Sequence, residues 1–135
     1  MNINNIEINP DIMREVDVEY FNANDFTDNQ LKALNYKLSR LEMELDLYNV
    51  LSINNRNDKT DWLNSLINAD LKYFQRLLMY CQLKNYFFEI QSGEESKDYL
   101  RYKHFANLYK YELRFAINLK SPEYSSIKTG VLSRG

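Results

Sequence analysis

Side chains able to carry chemistry are few and scattered. His104 is the only histidine and Cys81 the only cysteine among the 135 residues. No set of ligands therefore stands at metal-binding spacing, and a serine–histidine–acid arrangement would have to be built around His104 alone. Cys81 falls on an apolar helical stripe and is expected to be a small core residue. With no second cysteine the chain closes no internal disulfide, which fits a reducing compartment. The acid pairs Glu42/Asp46 and Glu94/Asp98 lie one helical turn apart, the usual spacing of a solvated helix face. All three glycines are isolated, so the chain has neither a phosphate-cradling loop nor a dinucleotide fingerprint. No catalytic residue, cofactor, metal or small-molecule substrate is expected, and the inventory favours an interaction protein over an enzyme.

The charges are more informative. The formal net charge is −2, which argues against a simple basic nucleic-acid binder. Residues 1–30 nevertheless hold seven acids and one base, Arg14, while residues 97–135 hold eight bases and three acids. Such ends can pair within a subunit, between subunits, or with a charged partner. Lys103, Lys110 and Arg114 share one face of a predicted helix, the stripe that nucleic-acid contact would use. Lys97, Arg101 and His104 share another face, mixed with Leu108, Tyr111 and Phe115, which suits a protein interface with a polar rim.

The elements that position these residues are predicted to be helices. Eleven Tyr and seven Phe stand against only three Gly and two Pro, so turns should be few and elements long. The expected architecture is all-α, with three long antiparallel helices at about 28–54, 61–91 and 94–120 forming a domain over 27–120. An irregular acidic arm, residues 1–26, precedes it, and an extended basic tail, residues 121–135, follows. Thr27–Gln30 reads as a capping box, and Leu31, Leu34, Leu38, Leu41, Leu45 and Tyr48 repeat behind it as the seam of the first helix. The second helix is the organising one. Its apolar residues, among them Leu63, Ile67, Phe74, Leu77 and Leu78, with Trp62, Leu66, Tyr73 and Phe87 beside them, cover about half its circumference. It should have neighbours on two sides, with a possible bend near Asn68–Asp70. Ser92 and Glu95 have capping-box spacing before the third helix.

That third helix carries apolar residues on two nearly opposite faces. One holds Tyr102, Phe105, Ala106, Tyr109, Leu113 and Ala116; the other holds Leu100, Leu108, Tyr111, Phe115 and Leu119. Three helices cannot easily bury both, so the second face is expected to meet the arm or another subunit. In the tail, Ile127, Val131 and Leu132 are the residues through which an extended segment would dock on a partner. The polar opening MNINNIEINP is no signal peptide, and no apolar run approaches membrane-spanning length, so neither membrane insertion nor secretion is expected.

The aromatic stretch YLRYKHFANLYKYELRFAINLK, followed at once by SPEYSSIKTGVLSRG, resembles the head–tail connector (adaptor) proteins of tailed bacteriophages. The likeness is architectural and covers residues 27–135. The Asn/Lys/Tyr/Ile-rich composition also resembles that of a low-GC phage. The resemblance implies a homo-oligomeric ring in the virion neck, assembled in the host cytoplasm and docked on the portal. DNA would pass through its lumen without sequence readout. The alternative is a small helical regulatory or inhibitor protein, for example an anti-defence factor, that acts by occupying a partner's surface.

Overall fold

A computed structural model of the chain describes residues 2–119. The tail over 121–135, with Ile127, Val131 and Leu132, lies outside the described residues. Among the described residues the fold is all-helical, without a strand. In chain order the helices are α1 (Pro10–Val16), α2 (Val18–Ala23), α3 (Asp28–Ala33), α4 (Tyr36–Val50), α5 (Lys59–Ala69), α6 (Leu71–Ile90) and α7 (Lys97–Leu113), closed by a 3₁₀ turn, Arg114–Asn118.

The expected irregular arm is two short helices. Asn9 caps α1, its side chain accepting from Asp11 N at 2.9 Å, and Pro10 occupies the first turn, where a missing N–H costs nothing. The proline thus starts a helix instead of breaking one. Asp17 ends α1 and caps α2 by accepting from Tyr20 N. Before these helices, Ile3, Ile6 and Ile8 are buried at 0%, 0% and 4% exposure, so this stretch belongs to the core.

The first expected long helix is divided. Thr27 and Gln30 form the reciprocal capping box at the start of α3, with hydrogen bonds of 2.9 and 3.2 Å. The helix then ends at Ala33, because Asn35 adopts a left-handed conformation (φ 47°) that asparagine tolerates better than most residues. The break resets the helical phase. Leu31 is fully buried, yet Leu38, Leu41 and Leu45 point to solvent, and Ser39, Met43 and Leu47 face the core instead. The expected seam is therefore split: Leu31 and Tyr48 are buried and Leu34 packs half-buried against the core, while Leu38, Leu41 and Leu45 form the outer side of α4.

α4 ends near Val50, short of Asn54, through a Schellman closure. Ser52 sits at φ 57°, its N–H bonding Asn49 O at 3.1 Å, and Ile53 N bonds Tyr48 O at 3.1 Å. The chain bends again at Asp70, which separates α5 from α6; its backbone turns there (φ −145°, ψ 65°), but its side chain makes no cap. Ser96 caps α7 by accepting from Tyr99 N at 3.1 Å, in place of the expected Ser92–Glu95 box. The helix begins at Lys97 for that reason and tightens into the 3₁₀ turn after Leu113.

α6 is the centre of the molecule. Phe74, Leu77, Leu78, Cys81, Gln82, Leu83 and Phe87 are buried along it, and it packs against both α7 and α4. Full burial of its Phe and Leu side chains contributes about 1.5–3 kcal/mol each. The arm is fastened at one end of α6. Tyr20 and Tyr86 share a hydroxyl hydrogen bond of 2.5 Å, and the Tyr20 ring meets Phe87 edge-on at 4.8 Å.

Candidate interaction surfaces

The face of α7 that packs inward presents Phe105 and Tyr109, with Ala116 continuing it into the 3₁₀ turn. On the opposite face Leu100 is 60% exposed and Tyr111 57%, and Phe115 follows at 41%. Tyr111 and Phe115 form an edge-to-face pair at 5.2 Å. Leu108 and Leu119 belong to the same expected set but are half-buried against the core. The sequence-derived interface is thus split into an exposed part and a supporting part.

Lys103, Lys110 and Arg114 are exposed along one edge of this face, and over their eleven positions the helix advances about 16 Å at 1.5 Å per residue. No acid among the described residues pairs with any of the three; the Lys103 ammonium lies 6.0 Å from the Tyr99 ring centre. His104 is exposed beside them, its ring 5.0 Å from Phe105. A shallow depression of about 470 Å³ lies on this face between His104, Asn107, Tyr111 and Arg114.

The other basic group has a different fate. Arg101 binds Asp17 of the arm at 2.6 Å and Asp98 at 3.3 Å, with its own side chain only 16% exposed. Lys97 reaches Glu19 at 3.4 Å on the surface. The near edge of α7 therefore binds the arm of the same chain, and the Lys103–Arg114 edge does not.

The Glu42/Asp46 pair is not free surface. Glu42 accepts from Lys84 Nζ and, at 3.0 Å, from Asn85 Nδ2, which also donates to Ser39 Oγ. Tyr109 OH donates to Asp46 at 2.7 Å, and Lys84 lies 4.9 Å from the Tyr109 ring centre. Together these contacts lock α4, α6 and α7 together. Burial acts to raise the Glu42 carboxyl, but hydrogen bonds from Lys84 and Asn85 outweigh it and hold the group below its ordinary value. Burial, then the neighbouring Cys81 and the hydrogen bond to Asp46, push the Tyr109 phenol up. Burial, with Glu42 nearby, pushes the Cys81 thiol up to about 12, so the thiol is a packed, unreactive group. Asp98 is bound to Arg101, and Glu94 lies in the loop before α7.

Sequence reasoning missed further apolar exposures, among them Phe88 near the end of α6 at 55%. Leu38, Leu41 and Leu45 form the outer stripe of α4, at 59%, 48% and 52% exposure. The continuous three–four repeat gave no signal of it; the left-handed Asn35, visible only in the structure, turns this stripe outward. Ile12 and Val18 stand out from the arm at 47% and 54%. An open groove of about 830 Å³ runs from Asn5 and Glu7 past Lys32 and Asn35 to Leu38. Its charged pair, Lys32 and Glu7, is joined at 3.4 Å.

Among the described residues no group of three or more His, Cys, Asp or Glu is placed to hold a metal, and no helix is long and apolar enough to cross a membrane. Compared with known proteins, the chain matches no family model, no curated protein and no solved structure.

Proposed function

We propose that this chain is a structural subunit that acts by assembling with other protein surfaces and not by catalysis. In its specific form it is a head–tail connector of a tailed phage: a ring of like subunits in the virion neck, docked on the portal, through which DNA passes. In this reading α3–α4, α5–α6 and α7 with its 3₁₀ turn would serve as the three rods of the ring wall. The observation that carries this reading is the exposed face of α7, where Leu100, Tyr111 and Phe115 stand outward from a helix whose other face is core. A second exposed stripe, Leu38–Leu41–Leu45 on α4, differs from it in chemistry. Two unlike faces are what a closed ring requires of each subunit.

The test is the mass of the purified protein in solution across a range of concentrations, with Phe115→Asp alongside. A closed assembly in the wild type, and a folded monomer in the variant, would support the reading. A wild type that stays monomeric at every concentration, alone and with portal, would overturn it.

A second reading is a small regulatory or inhibitor protein that covers a partner's surface. The exposed acids Glu15 and Glu19 on the arm's helices, with Asp25 in the loop after them, favour it, since they present negative charge on a folded support. In that case the protein would bind its target as a monomer, and reversing those acids would abolish binding.

A further inference from the structure

We propose that the cationic edge of α7 receives the acidic outer surface of the arm from a second copy of this chain, in a head-to-tail contact. The inference rests on the assembly reading above and names the two surfaces that would meet.

Three observations carry it. First, the charges are complementary and unspent. Lys103, Lys110 and Arg114 have no acidic partner among the described residues, and Glu15 and Asp25 have no basic one. The single base of the arm, Arg14, is held by Asp11 at 2.9 Å and by Asp28 at 2.5 Å, so it does not neutralise them. The Glu19–Lys97 pair is 73% and 79% exposed, and such pairs are weak enough to exchange partners.

Second, the apolar content matches as well. Val18, 54% exposed, stands between Asp17 and Glu19 in the chain, as Tyr111 and Phe115 stand near the cations of α7. Each surface is an apolar contact with a charged rim of opposite sign, the pattern of an exchangeable protein interface.

Third, the two surfaces cannot easily satisfy each other within one copy. Asp17 pins the arm to Arg101 at 2.6 Å, and Lys110 lies about 14 Å further along the helix. The arm is also tied down by the Tyr20–Tyr86 hydrogen bond. A contact between two different surfaces is heterologous, and repeating it closes a ring if the rotation permits.

The experiment is a charge exchange read by light scattering and sedimentation. One variant carries K103E, K110E and R114E; the other carries E15K, E19K and D25K. All six positions are exposed, and circular dichroism would confirm that each variant keeps its helices. Each variant alone should associate about tenfold or more weakly than wild type, because like charges then face each other. Mixed, the two should associate again, since each supplies the surface its partner lacks.

Assembly of the wild type that survives in both variants would overturn this contact while leaving the assembly reading intact. A wild type that never associates would overturn both. Salt-sensitive binding of a labelled single-stranded oligonucleotide by the wild type, lost in the α7 variant and without any self-association, would overturn the contact in favour of a nucleic-acid face.

Discussion

The side-chain amide of Gln82 donates to Leu34 O at 2.9 Å and to Lys32 O at 3.0 Å, so a residue at the middle of α6 completes the frayed end of α3. Gln82 is fully buried, and the two carbonyls have lost their helical partners at the Asn35 break. Gln82→Leu keeps the volume and removes both bonds. It should cost about 1–3 kcal/mol in urea unfolding, the penalty for a buried polar group left unpaired. A loss below about 0.5 kcal/mol would mean that the carbonyls find other donors.

Ser52 offers a gain. It is exposed and left-handed at the Schellman closure of α4, where glycine is the usual occupant. Ser52→Gly removes the steric cost of that conformation and adds freedom to the unfolded chain, two effects of opposite sign. The net should be a stabilisation of about 0.5–1 kcal/mol, seen as a higher urea midpoint at unchanged slope. A lower midpoint would show that the closure is not strained.

The α4–α6 lock predicts an acid-sensitive stability. Glu42 is held below its ordinary 4.5 in the folded chain. The stability this supplies is complete above that value and is lost as pH falls through the lower folded value. Glu42→Gln should therefore flatten the fall in stability on the acid side of pH 4.5. An unchanged acid limb in urea titrations at several pH values would refute the assignment.

Two leucines that look alike in the sequence should behave differently. Leu77→Ala removes a fully buried side chain and should cost about 2–5 kcal/mol. Leu41→Ala, at 48% exposure, should fall within about 0.5 kcal/mol. If both variants unfold alike in dilute solution, the α4 stripe is packed and its outward placement is wrong.

That contrast also marks how far the sequence could be read. Helicity after the arm and the central position of α6 were legible, because residues such as Phe74, Leu77 and Phe87 are apolar on several sides of one helix. The outward turn of Leu38, Leu41 and Leu45 was not. A three–four repeat reports which residues share a face only while the helix is continuous, and one left-handed Asn35 is enough to change which face meets the core. The arm was misread because Asn9-Pro10-Asp11 looks like a breaker but is a cap, a first-turn proline and a dipole-matched acid. On the α7 face the exposure of Leu100, Tyr111 and Phe115 followed from having too many apolar residues for one helix to bury. Leu108 and Leu119 could not be separated from them by period alone, since both sit near the boundary of the stripe.

The isoleucines before α1 have a consequence for how the chain is made. Ile3 N bonds Asn64 Oδ1 across 61 positions, Tyr36 OH donates to Ile6 O, and Gln75 donates to Glu7 O across 68 positions. During synthesis this stretch leaves the ribosome long before the residues that will hold it. The core cannot close over Ile3, Ile6 and Ile8 until most of the chain has followed, and contacts so distant in sequence form slowly. A protease that trims the nascent or finished chain ahead of Asn9 would not shorten a dangling end. It would pull three wedges from the interior, and the domain would loosen from the inside.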